Sequence, residues 1–116
     1  MSTLLTGQKG ERIAERWLRR HGCRILERNY RAGRYEIDLI AEEKATGTVL
    51  FVEVKARSEG AWGRPSDAVN AQKRRFLRLA AERWLSEHDA YERSARFDVI
   101  EVFLPDGAVN RIESTF

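Results

Sequence analysis

The sequence predicts an α/β fold in which helices cover a mixed β-sheet. Three observations carry this. Apolar stripes at helical spacing open the chain and recur after its midpoint. Short runs rich in β-branched and aromatic residues lie between and after them, and turns bearing Gly or Pro separate the elements in the order α-β-β-β-α-β-β. At 116 residues, without repeats or a dividing linker, the whole of 1–116 is expected to form one domain.

From Gly7 to Gly22 the residues Gly10, Ala14, Trp17, Leu18 and His21 share one helical stripe, and Gly22 suits the residue just past a helix end. Glu11 lies on the flank of that stripe and can look inward. Cys23–Tyr30 reads as a first strand. The turn Arg31-Ala-Gly-Arg34 leads to a second strand at about 35–43, and Ala45-Thr-Gly47 to a third at about 48–57. The loop Ser58–Pro65 precedes a second helix over about 67–88, with Ser66 or Asp67 as N-cap. Val69, Phe76, Ala80 and Trp84 form its apolar face, and Gln72 and Lys73 fall in the same sector near its start. Phe97–Phe103 is a fourth strand, and Ala108–Ile112 a short fifth after the Pro105-Asp-Gly107 turn.

Composition narrows the function. No stretch approaches 18 apolar residues, and Met1–Gly7 lacks the apolar core of a signal peptide, so no membrane partner is expected and the expected compartment is the cytoplasm. Cys23 is the single cysteine, and His21 and His88 are the only histidines, which excludes an internal disulfide and a Cys/His zinc site. Net charge is +3, unevenly spread. Residues 8–34 hold nine basic side chains against three acids, whereas residues 35–54 hold five acids against Lys44. A basic surface beside an acidic pocket suits a polyanion held against a metal site. An Arg-rich solvated surface is the plainer alternative.

The acidic stretch carries the chemistry. Glu36 and Asp38 sit within the apolar run Glu36–Ala41, and Glu53 and Lys55 within Val49–Ala56. Period-2 alternation places Glu36 with Asp38 on one face, and Glu53 with Lys55 on one face. Charges inside apolar strands are rare unless paired or bound to metal. Asp38 and Glu53 on neighbouring strands provide the one or two carboxylates that Mg²⁺ typically takes, and Mn²⁺ is the alternative ion. Such an ion acts as Lewis acid on a phosphodiester, with Lys55 contacting the attacking water or the phosphate as general base or fixed charge. A half-exposed hairpin with Glu53 and Lys55 in water is the competing reading, but it would also expose Phe51.

The segments Glu36-Ile-Asp-Leu-Ile-Ala41 and Phe51-Val-Glu-Val-Lys-Ala-Arg57 resemble the YraN-like family of small bacterial proteins. The resemblance runs from Gly10-Glu11 to Arg96-Phe-Asp-Val99. It implies a restriction-endonuclease-like fold of the PD-(D/E)xK type, with an α-β-β-β-α-β core similar to that of archaeal Holliday-junction resolvases. It also implies Asp38 and Glu53 as metal ligands, Lys55 as the catalytic lysine, Glu11 as an additional acid and Glu36 at the motif's other acidic position. Tyr35 departs from the family, which usually has Gly there.

The function expected on these grounds is a Mg²⁺- or Mn²⁺-dependent DNA endonuclease, acting on branched or single-stranded structures in repair or recombination. Its nucleic-acid contacts would include Arg12 on the basic first helix, with Arg57, Arg64 and Trp62 beside or within the 58–65 loop. Trp62 either stacks on a base or folds onto the core. Gln72 and Lys73 either meet phosphate or edge the core. Trp17 and Trp84 are spaced as core residues, and Asp98 is expected to pair with a nearby Arg. Two other functions compete: a non-catalytic nucleic-acid-binding module, and a protein-interaction domain using the basic face. A homodimer is attractive because a two-fold junction needs two sites.

Overall fold

A computed structural model describes residues 3–57 and 71–113. Helix α1 (Thr3–Arg20) precedes β1 (Cys23–Ala32), β2 (Tyr35–Glu43) and β3 (Val49–Arg57). Helix α2 (Ala71–Glu87), β4 (Ala95–Phe103) and β5 (Ala108–Ile112) follow. The five strands form one sheet in sequence order. Only β3 and β4 run parallel, the other neighbours being antiparallel. A parallel pair needs a long crossover, and α2 lies within it. The α/β prediction of helices over a mixed sheet holds.

The helices cover opposite faces of the sheet. Ala14 and Leu18 of α1 pack with Cys23, Leu39, Leu50, Val52 and Ile100. Leu77, Ala80, Ala81 and Trp84 of α2 pack with Tyr30, Ile40, Val49 and Phe51. The central strand β3 alternates regularly between these cores, with Val49 and Phe51 under α2 and Leu50, Val52 and Val54 under α1. That double cover explains why its first half reads as one apolar run.

Several details differ from the sequence prediction. α1 begins by Thr3. Gly22 ends it with φ +80°, and the His21 N–H donates back to the Trp17 carbonyl at 3.1 Å. Gly10, Ala14 and Leu18 are buried as predicted, but Trp17 is only half-buried and His21 is exposed, their rings stacked 3.8 Å apart. The stripe is therefore narrower than five residues. A Cβ on Gly10 would lie 3.2 Å from Ala56 Cβ, so the helix backbone nearly touches β3. β1 extends to Ala32, two residues past the predicted end. On α2 the buried set adds Leu77 and Ala81, while Phe76 sits at the edge, stacked on Tyr35 at 3.9 Å. The predicted N-caps Ser66 and Asp67, and Val69, lie outside the described residues.

Candidate active site

The site arises where the sheet forks. The β2–β3 ladder pairs Glu42 with Val49 and proceeds to Leu39 with Val52, its last pair. One step further in the same register stand Asp38 and Glu53. Beyond that point β2 stays with β1, through Ile37–Tyr30, Glu36–Arg31 and Tyr35–Ala32. β3 instead stays with β4, as far as Arg57–Phe103. The strands thus part, and the acids stand at the crotch.

Asp38 fills the gap with its side chain. Its Oδ2 accepts a 2.8 Å hydrogen bond from the Val54 N–H, a main-chain donor on the β2 side of β3. This substitutes for a ladder bond that the parted backbones do not make. Alternation in β2 breaks here: Ile37 joins the α2 core and Leu39 the α1 core, though a regular strand would put them on one face. Period-2 alternation therefore does not run unbroken from Ile37 to Leu39, although Asp38 still feels the charge of Glu36. On β3, alternation survives. Glu53 shares the α2 face with Phe51, which is buried, as the competing exposed-hairpin reading does not allow.

The electrostatics are unbalanced. Burial and then the charge of Glu53 push Asp38 up from 3.8 to about 7; Glu11 and Glu36 add to this, and the Val54 N–H opposes it. Glu11, brought in by the close seat of Gly10 on Ala56, is also raised, first by burial and then by Glu36 and Glu53. Two amines meet Glu53 Oε1: Lys73 Nζ at 2.6 Å and Lys55 Nζ at 3.4 Å. Burial disfavours the Lys73 ammonium, but the hydrogen bond and charge of Glu53 outweigh it and raise its pKa.

The sequence-selected residues separate into three groups. Asp38, Glu53, Lys55, Lys73 and Glu11 come together. Glu36 sits at the rim, paired with Arg31 at 3.1 Å. Arg57 turns to Glu101 at 3.2 Å, Gln72 and Arg12 are exposed, and Trp62 and Arg64 lie outside the described residues. Sequence reading missed the stacked Tyr35–Phe76 pair, which ties the hairpin to α2 beside the acids. The sequence offered a hint in Tyr35, an aromatic residue at the position where the YraN-like resemblance leads one to expect Gly.

Donor chemistry fits a hard divalent cation in one specific form. Among the described residues no three His, Cys, Asp or Glu side chains converge closely enough to hold a metal ion. The candidate set is the pair Asp38 and Glu53, which matches the few carboxylates that Mg²⁺ uses when water and phosphate complete its shell.

Residues 10–102 match the uncharacterised protein family UPF0102. The chain belongs to this family. A UPF0102 protein of Beutenbergia cavernae is 45% identical over 92% of this chain and 89% of its own length. UPF0102 proteins of Pelobacter propionicus and Trichlorobacter lovleyi are 43% and 42% identical, over 93% and 92% of this chain and 77% and 84% of theirs. The YraN-like resemblance of the motifs is membership of UPF0102. Among solved structures, Pyrococcus furiosus SfsA in complex with Ca²⁺ is similar with a TM-score of 0.41 at 19% identity, covering 97% of this chain and 62% of that one. No helix among the described residues of this UPF0102 chain is long and apolar enough to cross a membrane.

Proposed function

We propose that this UPF0102 chain is a divalent-metal-dependent nuclease with a restriction-endonuclease-like core, hydrolysing DNA phosphodiester bonds. The observation that carries the reading is the forked ladder, which brings Asp38 and Glu53 to one point of the sheet with Glu11 and Glu36 close enough to raise Asp38, more carboxylates than Lys55 and Lys73 balance. Asp38 and Glu53 would hold Mg²⁺ or Mn²⁺, which when bound supplies charge neutralisation at the scissile phosphate. The Val54 N–H fixes Asp38 through Oδ2, so that its carboxylate would be held in place for the ion. Lys55 and Lys73 hold Glu53 in place, and a phosphate entering the fork gives both amines a second anionic partner. Lys55, on the same strand face as Glu53, is the side chain placed to contact the attacking water or a phosphate oxygen. Such a set works by positioning and charge, which phosphoryl chemistry chiefly needs.

The direct test incubates the protein with linear, nicked, branched and single-stranded DNA and Mn²⁺ or Mg²⁺. Expected is metal-dependent cleavage that Asp38→Asn and Lys55→Ala each reduce by at least 10²-fold, on the scale of losing one preorganised electrostatic group. Cleavage undiminished in both variants, or none with any substrate, refutes the reading. One observation favours the alternative of a non-catalytic nucleic-acid-binding module: both lysines are already engaged with Glu53. In that case DNA binds with steep salt dependence, and Glu53→Ala leaves the protein's function intact.

A further inference from the structure

Beside the fork lies a groove of about 250 Å³ that the acids alone do not explain. One wall is a polar stripe of α1, Gln8, Glu11, Arg12 and Glu15, at the i, i+3, i+4, i+7 spacing of a single helix face. The other wall is Arg28 and Asn29 of β1, and the buried side chain of Leu39 forms the floor. Glu11 belongs to both groove and acid cluster, and Leu39 adjoins Asp38. The groove therefore lies on the α1 side of the sheet, next to the fork, with Glu11 as the residue common to both.

We propose that this groove binds a single unpaired nucleotide of a nucleic-acid strand, next to the phosphate that Asp38 and Glu53 face. The inference rests on the nucleic-acid reading above and narrows it to a strand with free bases. Gln8 and Asn29 provide amides, the groups that pair bidentately with base edges, and Leu39 provides an apolar floor for a base. Arg12 is exposed and has no ion pair among the described residues, which suits it to phosphate. Arg28 is held in place by Glu15 at 2.5 Å, and Glu15 is also near Arg19 at 3.8 Å, so this carboxylate is compensated. Asn29 stands in the left-handed region at φ +51°, where the alternation of β1 breaks: Arg28 turns toward α1, and Tyr30 lies in the α2 core. That break costs conformational energy for a non-Gly residue and puts the Asn29 amide on the groove. The volume lies below the roughly 300–1,000 Å³ of sites for drug-sized ligands, so the groove is too small for a base pair and is matched to a small planar group such as one base. A stacked, paired base presents no free Watson–Crick edge to such a groove.

The test is done in EDTA, so that binding is read without cleavage. Fluorescence anisotropy compares a labelled single-stranded DNA oligonucleotide with its blunt duplex, for wild type and for Gln8→Ala/Asn29→Gly. Gln8 is an exposed helix position and Gly suits φ +51°, so the variant keeps the fold, as circular dichroism verifies. Expected is tighter binding of the single strand, lost by about tenfold or more in the variant while duplex binding is unchanged. Amide-proton NMR of the Asn29 side chain shifts with the single strand and not with the duplex. Equal affinity for both probes, or a loss shared by both, overturns the groove assignment. Strand-selective binding with no metal-dependent cleavage supports the groove and removes the nuclease reading. No binding of either probe overturns the groove assignment, while the nuclease reading then stands or falls with the metal-dependent cleavage assay.

Discussion

Two aspartates in neighbouring parts of the sheet show what burial alone does and does not imply. Asp98 of β4 is almost wholly inaccessible, yet Arg96 Nε lies 3.1 Å from Oδ1 and Arg111 Nε 3.1 Å from Oδ2. It is the more buried of the two and the less provocative. Asp38 has one main-chain donor and three acids around it, and its proton affinity rises accordingly. Asp98 is a structural ion pair whose charge is answered within the protein. Asp38 has no side-chain ion pair of its own, only the Val54 N–H and the more distant charge of Lys73, and such an under-compensated carboxylate is what a cation site offers.

Removing the answered charge should have the larger effect. Asp98→Ala leaves Arg96 and Arg111 with only the longer contacts to Glu43 and Glu113 and is expected to cost about 3 kcal/mol in urea unfolding. A loss under about 1 kcal/mol would place that network among the weak surface pairs. Asp38→Asn should do the opposite. Its carboxyl prefers the proton in the folded state, so its penalty is absent below about pH 4, grows as pH rises, and is complete above about pH 7. Without metal, Asp38→Asn therefore stabilises the protein by on the order of 2 kcal/mol at pH 8 and not at pH 4, since an amide still accepts from Val54. Denaturation midpoints at the two pH values check this. An equal effect at both would mean Asp38 titrates normally.

Smaller effects sharpen the geometry. Gly7 and Gly10 share α1, but an added Cβ meets nothing within 4 Å at Gly7 and lies 3.2 Å from Ala56 at Gly10. Gly7→Ala is expected to stabilise by roughly 0.5–1 kcal/mol through helix propensity. Gly10→Ala should lose that gain, because the helix must lift off β3, and should shift Glu11 from the acids. Thermal unfolding of both variants, with Mn²⁺ affinity of the second, separates propensity from contact. Equal stabilisation by both would show that α1 has slack over β3.

Much of this comparison was legible before any coordinates. The element order followed from periodicity, and Asp98 was expected beside an Arg because a lone acid in an apolar strand needs one. Asp38, Glu53 and Lys55 stood out because charges interrupt two apolar runs. What stayed illegible depends on strand register and on breaks in it. Nothing local in Glu36-Ile-Asp-Leu says that the ladder ends at Leu39–Val52, so strict alternation was assumed through Asp38. The break at Asn29 was equally hidden, since an Asn in the left-handed region has no marker as plain as Gly. Trp17 looked like core because a stripe gives direction but not depth. The position of Lys73 on its helix suits either phosphate or the core edge, and it meets Glu53, a contact made by tertiary packing 20 residues away in sequence.

The pairing of Asp38 with Glu53 is tested most directly by calorimetric titration of Mn²⁺ into the protein at pH 8, beside Asp38→Asn. Expected is one site in the wild type, with proton release that increases as the pH is lowered toward 7, and no measurable site in the variant. Equal manganese uptake by the two proteins, or no uptake by either, would contradict a cation held at the fork.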